Sequence, residues 1–286
     1  LEQSLRESCD VFYYDLALKV GIERIADMAR RMGLGVAHDI PMSAVTSGLV
    51  PDKAWKVRER GAEWVIGDSV NAAIGQGFVL TSPLQLAVMT ARVATGRSIS
   101  PRLVRSIDGV ETPSRGGTDL GLNPNHLLQV QRGMFAVSNN RRGTGYGSRI
   151  IAEGMRMAGK SGTAQVVSRI TTEADPWEDR DHALFVSFAP FDNPKIAVAV
   201  VVEHGVGGSR TAAPIARDVT LQALYGEDPP LDAYPAKDRG RIKTQQEKLS
   251  SQRRVRKRED AGRTFPRGRR SRIHLRAPTP IPTPAR

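Results

Sequence analysis

The 286 residues are 40% apolar and carry a formal charge of +12, which allows one large core with a small appendage. That charge belongs to the C-terminal end. Lys237 to Arg286 holds 17 Lys and Arg against 4 Asp and Glu, a net of +13, and leaves residues 1–236 at −1, which excludes a nucleic-acid surface built on the charge of the folded body.

The single cysteine, Cys9, excludes an internal disulfide framework. The longest unbroken apolar run, Ile196 to Val202, falls far short of a bilayer span. The chain opens at Leu1 inside a helical pattern with no charged-then-apolar stretch, so no signal peptide is expected from its opening residues.

Phe12, Leu16 and Val20 recur every four residues, predicting a helix over 11–20 that stops at Gly21. A second helix is expected over 22–32, ended by Gly33 and Gly35, with Met28 and Met32 as core rather than cofactor contacts. Residues 36–66 read as irregular, punctuated by Pro41, Gly48, Pro51 and Gly61, and Asn71 to Gly77 as a glycine-flanked turn. Ser82-Pro83 is a cap and first-turn pair, opening a helix with Leu84, Ala87, Val88 and Ala91 as its stripe and Gly96 near its end.

Residues 102–107 suggest a strand turning at Asp108-Gly109, and Pro124 opens a helix over 124–139. Strands are expected at Thr163–Ser168, Ala183–Ala189 and Ile196–Glu203, the last apolar on both faces as a strand covered on both sides would be. A helix over 210–224 would pack Ile215, Val219 and Ala223. Helices, then antiparallel strands, then a closing helix define an α/β (α+β) fold: an antiparallel sheet flanked by helices. The expected divisions are a folded body over 1–226, a polar extension over 227–250 and a disordered Arg/Pro-rich tail over 251–286.

Two clusters carry chemistry. Lys160-Ser161-Gly162-Thr163 reads as lying at the entry to the first of those strands. Gly162 lets a substrate backbone approach, the lysine and hydroxyls can hold a carboxylate, and the Thr163 N–H can point at a developing oxyanion. Ser8-Cys9-Asp10 precedes the Phe12 helix, where Ser8 or Asp10 would also serve as a cap. Cys9 reads as a small apolar residue or as a thiol favoured by the helix N-terminus. His182 and His204 lack a suitably spaced third ligand, and His38 and His126 have no evident partner.

In this order the two clusters resemble the second and third motifs of the penicillin-recognising serine transpeptidases and β-lactamases, a family defined by S-x-x-K, S-x-N or S-x-D, and K-[ST]-G. The likeness extends through Gly67-Asp68-Ser69, Ile74-Gly75-Gln76-Gly77, Thr81-Ser82-Pro83-Leu84-Gln85, Ala158 to Gln165, Asp181-His182-Ala183-Leu184 and Phe188-Ala189-Pro190. It covers roughly residues 1–226 and is similar to the class B penicillin-binding proteins. The aspartate of the second motif and K-S-G-T-A-Q favour the cell-elongation branch over the division branch.

The resemblance implies a β-lactamase-like transpeptidase fold, incomplete at the N-terminus, and a set of roles. Ser8 relays protons, Asp10 orients the donor backbone or the lysine of S-x-x-K, and Lys160 keeps the site electropositive and bonds Ser8. Ser161, Gly162 and Thr163 bind the carboxylate of a D-Ala-D-Ala stem peptide, which β-lactams mimic. No cofactor is required, although some elongation enzymes hold zinc through a cysteine like Cys9 with upstream Asp and His. The implied partners are a glycan polymerase and elongation-machinery scaffolds, at the periplasmic face of the bacterial inner membrane, with the anchor outside this chain.

S-x-x-K is not found here: Ser4-Leu5-Arg6-Glu7 lacks the lysine, so the chain alone is expected not to acylate. A β-lactamase or β-lactam-sensor relative shares these motifs, and a non-catalytic module acting through its basic tail is a reading from another class. That tail fits an anionic surface, an inert extension, or out-of-frame translation of GC-rich DNA.

Overall fold

Residues 1–112 and 116–262 are described by the computed structural model, in which the chain divides into two units, Leu1–Arg239 and Gly240–Arg286. In the first, helix α1 (Glu2–Glu7) ends at Ser8, whose backbone is left-handed at φ 55, ψ 56. The N–H groups of Ser8 and Cys9 close onto the carbonyls of Leu5 and Ser4, a doubly bonded helix end that usually carries glycine at the left-handed position. α2 (Asp10–Val20) stops at Gly21 and α3 (Ile22–Arg31) follows. The N-cap of α2 is Cys9, with no side-chain cap bond, which corrects the capping role expected of Ser8 or Asp10. Met28, expected in the core, is exposed.

Residues 36–66 are less irregular than their punctuation implies. α4 (Lys53–Arg60) is capped by Asp52, which accepts from Trp55 N–H at 2.8 Å. α5 (Ile66–Ala73) begins where Asp68 accepts from Val65 N–H at 2.8 Å and pairs with the buried Lys56. Both helices are too short to show a stripe; caps and one ion pair set them. At α6 (Pro83–Thr95), Ser82 accepts from Gln85 N–H at 3.3 Å while Gln85 accepts from Ser82 N–H at 3.0 Å, a reciprocal capping box. The buried Gln85 amide also donates to the carbonyls of Val36 and Ser47 at 2.9 and 2.7 Å.

An exposed hairpin of β1 (Ser106–Ile107) and β2 (Val110–Glu111) turns at Asp108-Gly109, and α7 (Pro124–Asn139) follows as predicted. The main sheet joins β3 (Ala158–Ala164), β4 (His182–Ala189) and β5 (Ile196–Val202), antiparallel in the order β3-β4-β5. α7 packs on β3, α6 on β4 and β5, and α8 (Ala213–Tyr225) on β4 and β5. Ala94, Met134, Ala158, Val186 and Phe188 form a core cluster between α6, α7 and the sheet. Burying a side chain of the size of Phe188 contributes about 1.5–3 kcal/mol.

Three expectations are corrected. The first strand runs Ala158–Ala164 rather than Thr163–Ser168, so the lysine motif lies inside a strand. Its start is hidden by small residues that pack beneath an aromatic: a Cβ on Gly159 would fall 2.6 Å from the Phe185 ring. β4, not β5, is the most buried strand, and Val201 of β5 is partly exposed. α8 buries Ala213, Ala216, Arg217, Thr220 and Leu221, leaving Ile215 at 42% and Val219 at 49% exposure. A buried guanidinium turned that face inward: Arg217 is fully buried, bonds Asp218 at 2.8 Å and Asp238 at 2.6 Å, and lies 5.1 Å from the Tyr234 ring centre.

α9 (Arg239–Gly262) forms the described part of the second unit and takes in residues 251–262 of the stretch expected to be disordered. Residues 263–286 of that stretch lie outside the described residues.

Candidate active site

The α1–α2 junction and β3 meet at a cleft of about 810 Å³ lined by Ser8, Asp10, Lys160, Ser161, Gly162 and Thr163. The fold thus brings together residues separated by about 150 positions, and the contact between them is direct. Lys160 Nζ donates to Ser8 Oγ at 2.7 Å and to the Ser161 carbonyl at 2.8 Å. Burial pushes the Lys160 amine down to about 8, against the opposing pull of the Asp10 carboxylate. Near neutral pH it is therefore a cation close to its titration point, able both to hold an anion and to pass a proton.

The left-handed turn at Ser8 aims its hydroxyl across the cleft, and Asp10 enters from the first turn of α2. The alternate residues Ser161 and Thr163 of β3 have their carbonyls met by side chains, Lys160 Nζ and Gln76 Nε2, rather than by β4. Ser161 Oγ lies 3.0 Å from Thr144 Oγ1, which leaves the motif's hydroxyl oriented by a loop and not by the strand. Cys9 is exposed and is not among the residues lining the cleft.

Several residues of this site carried no sequence signal of their own. Thr144, between Gly143 and Gly145, donates its N–H to the Arg6 carbonyl at 3.2 Å and so ties its loop to α1. Gln76 was legible as part of a glycine-flanked turn and of the Ile74-to-Gly77 stretch of the resemblance, but not as a residue of the cleft. Tyr13 and Tyr14 line the cleft from α2, and burial raises the Tyr13 phenol. The buried Asp181 accepts from Val166 N–H at 3.1 Å and its own N–H donates to Thr171 Oγ1 at 2.9 Å, pinning the segment after β3. Gly208 approaches from the far side, where a Cβ would sit 2.1 Å from the Leu184 carbonyl and 2.4 Å from that of Gly162.

Three of the histidines, His38, His182 and His204, have structural partners. His204 N–H donates to His182 Nδ1 at 3.0 Å, with the rings 4.8 Å apart. His38, read as unpartnered, is buried with Nε2 3.1 Å from the Gly33 carbonyl, and burial lowers its pKa. Among the described residues no three His, Cys, Asp or Glu side chains converge as metal ligands. Zinc does not fit Cys9 with the residues present.

A helix-flanked antiparallel sheet, with a half-buried lysine on its edge strand bonded to a serine at a helix junction, is the arrangement that the motifs of the penicillin-recognising serine enzymes imply. The penicillin binding protein transpeptidase domain matches residues 1–221, and the chain belongs to that family. It is similar to the peptidoglycan D,D-transpeptidases MrdA of Haemophilus influenzae, at 33% identity, and Salmonella typhimurium, at 35%. These alignments cover 82% and 80% of this chain and 38% of each relative.

Two solved structures agree. PBP2 of Pseudomonas aeruginosa in complex with WCK 5153 matches at 36% identity and a TM-score of 0.69, covering 82% of this chain and 51% of that one. PBP2 of Helicobacter pylori in complex with MreC matches at 32% and 0.68, covering 79% and 40%.

Proposed function

We propose that this chain supplies the second and third catalytic motifs of a peptidoglycan D,D-transpeptidase acting through an acyl-serine intermediate. The observation that carries it is the 2.7 Å bond from Lys160 Nζ to Ser8 Oγ, which joins the two motifs in one cleft. A serine supplied by an S-x-x-K motif gives its proton to that motif's lysine, attacks the penultimate D-alanine carbonyl of a stem peptide and expels the terminal D-alanine as an amine. Ser8 hands that amine its proton, and Lys160 restores the proton to Ser8. The amine of a neighbouring peptide then attacks the ester and passes its proton through Ser8 back to Lys160, while the serine leaves and takes its own proton back from the lysine of its motif.

Asp10 holds the Lys160 charge and orients the donor. Ser161 and Thr163 bind the peptide carboxylate beside Lys160, and the Thr163 N–H faces the developing oxyanion. Gly162 keeps the strand surface low where the peptide lies. β-Lactams enter as peptide mimics and stall as acyl-enzymes.

The enzyme that carries this chain works at the periplasmic face of the inner membrane, with a glycan polymerase and a scaffold of the MreC kind as partners. Support for the scaffold comes from the PBP2 of Helicobacter pylori solved in complex with MreC; among the described residues no helix is long and apolar enough to cross a membrane.

The test uses a fluorescent penicillin and intact-mass spectrometry on this chain and on a longer product of the same gene that includes S-x-x-K. An adduct on the longer form only, lost in Lys160→Ala, is the expected result. An adduct on this chain would make Ser8 or another of its serines the nucleophile and overturn the roles given.

A further inference from the structure

The carbonyl of Thr163 in the cleft is already occupied: Gln76 Nε2 donates to it at 2.8 Å. β3 is the edge of its sheet, and an edge strand presents alternate N–H and C=O groups to whatever lies beside it. Thr163 lines the cleft together with Gln76. An extended peptide that adds to such an edge uses those outward carbonyls as acceptors for its own backbone N–H groups. The Gln76 carboxamide therefore fills the place of a peptide amide.

Its mounting suits a side chain that swings while its backbone stays. Gln76 N–H donates to the Asn71 carbonyl at 2.9 Å, tying the turn to the end of α5. Gly75 and Gly77 on either side are left-handed, at φ 75 and φ 69. α5 in turn packs on α2, the helix that carries Asp10.

We infer that Gln76 is a latch on the donor-peptide subsite: its amide holds the Thr163 carbonyl in the free cleft and must leave before a peptide N–H takes that acceptor. This rests on the function proposed above and adds a positioning residue to it. A latch of this kind reduces apparent affinity by the fraction of molecules in which it is open. Removing the donor should tighten peptide binding by about 2- to 10-fold, the range that one net hydrogen bond allows.

The experiment measures the Kd of an acetylated tripeptide ending in D-Ala-D-Ala, by calorimetry, for this chain, Gln76→Met and Gln76→Leu. Analogues of the tripeptide methylated at each backbone nitrogen in turn are measured beside it. Tighter binding of the parent peptide by both variants, with the gain abolished for one methylated analogue, is the expected result. Unchanged or weaker binding by both variants, or a gain that persists for every methylated analogue, overturns the latch. In that case binding to the wild type that is lost in Lys160→Ala leaves the proposed function standing. No binding by any variant overturns the function and the latch with it.

Discussion

Replacing Lys160 by methionine tests the electrostatics of the cleft through stability alone. Burial holds the Lys160 amine at about 8 instead of 10.5, and a displacement of that size corresponds to about 3 kcal/mol spent at pH 7 on keeping the charged form in the fold. Lys160→Met removes that penalty but also loses the bonds to Ser8 Oγ and the Ser161 carbonyl, together about 2 kcal/mol. The variant should therefore be about 1 kcal/mol more stable than the wild type at pH 7, although it cannot hold a carboxylate.

The sign of the pH dependence follows from proton counting. A lysine with a folded pKa below its unfolded value binds fewer protons folded than unfolded between about pH 8 and 10.5, so the wild type gains stability as pH rises. From pH 7 to pH 10 that gain is about 2–3 kcal/mol, enough to reverse the order of the two proteins. Urea unfolding of both at pH 7, 8, 9 and 10 reads the difference, in which tyrosines such as Tyr13 cancel. A difference that is constant within about 0.5 kcal/mol across the series, or one that grows in the variant's favour, refutes the reasoning.

Two more perturbations follow from packing. Gly208→Ala places a methyl against the Leu184 and Gly162 backbones, so a loss of about 1–3 kcal/mol is expected, read as a lower urea midpoint with an unchanged slope; an unchanged midpoint would mean that β3 yields freely. Arg217→Ala removes a fully buried guanidinium bonded to Asp218 and Asp238 at a cost of about 3–5 kcal/mol, which at about 2–4 °C per kcal/mol lowers Tm by about 6–20 °C in thermal unfolding. A shift within about 1 °C would show that the buried ion pairs contribute nothing net.

What could be read from the sequence depended on how far apart the determining groups lie. α2, α3, α6 and α7 carry their own start and stop signals, in Gly21, Ser82-Pro83 and Pro124, and they fold as read. α4 and α5 depend on caps and the Lys56–Asp68 pair, which leave no periodic trace. The buried face of α8 was misplaced because two of the groups that hold Arg217 inside, Tyr234 and Asp238, lie some 20 positions later in the chain. The site divides the same way. Ser8, Asp10 and the 160–163 run are contiguous motifs and were legible through a family resemblance. Thr144 and Gln76 act by single hydrogen bonds across the fold, to Ser161 and Thr163, and no local pattern announces such a bond.

Ser8 sits at the left-handed end of α1, φ 55, where glycine is the residue with least strain. A side chain in that conformation costs on the order of 1 kcal/mol, and the hydroxyl it carries is the one that Lys160 bonds. Directed evolution scored on thermal endurance alone would therefore drift toward glycine at this position and discard the hydroxyl while improving its score. Selection for the acyl transfer proposed above pulls the other way, so the amino acid found at position 8 reports which of the two pressures a lineage has been under.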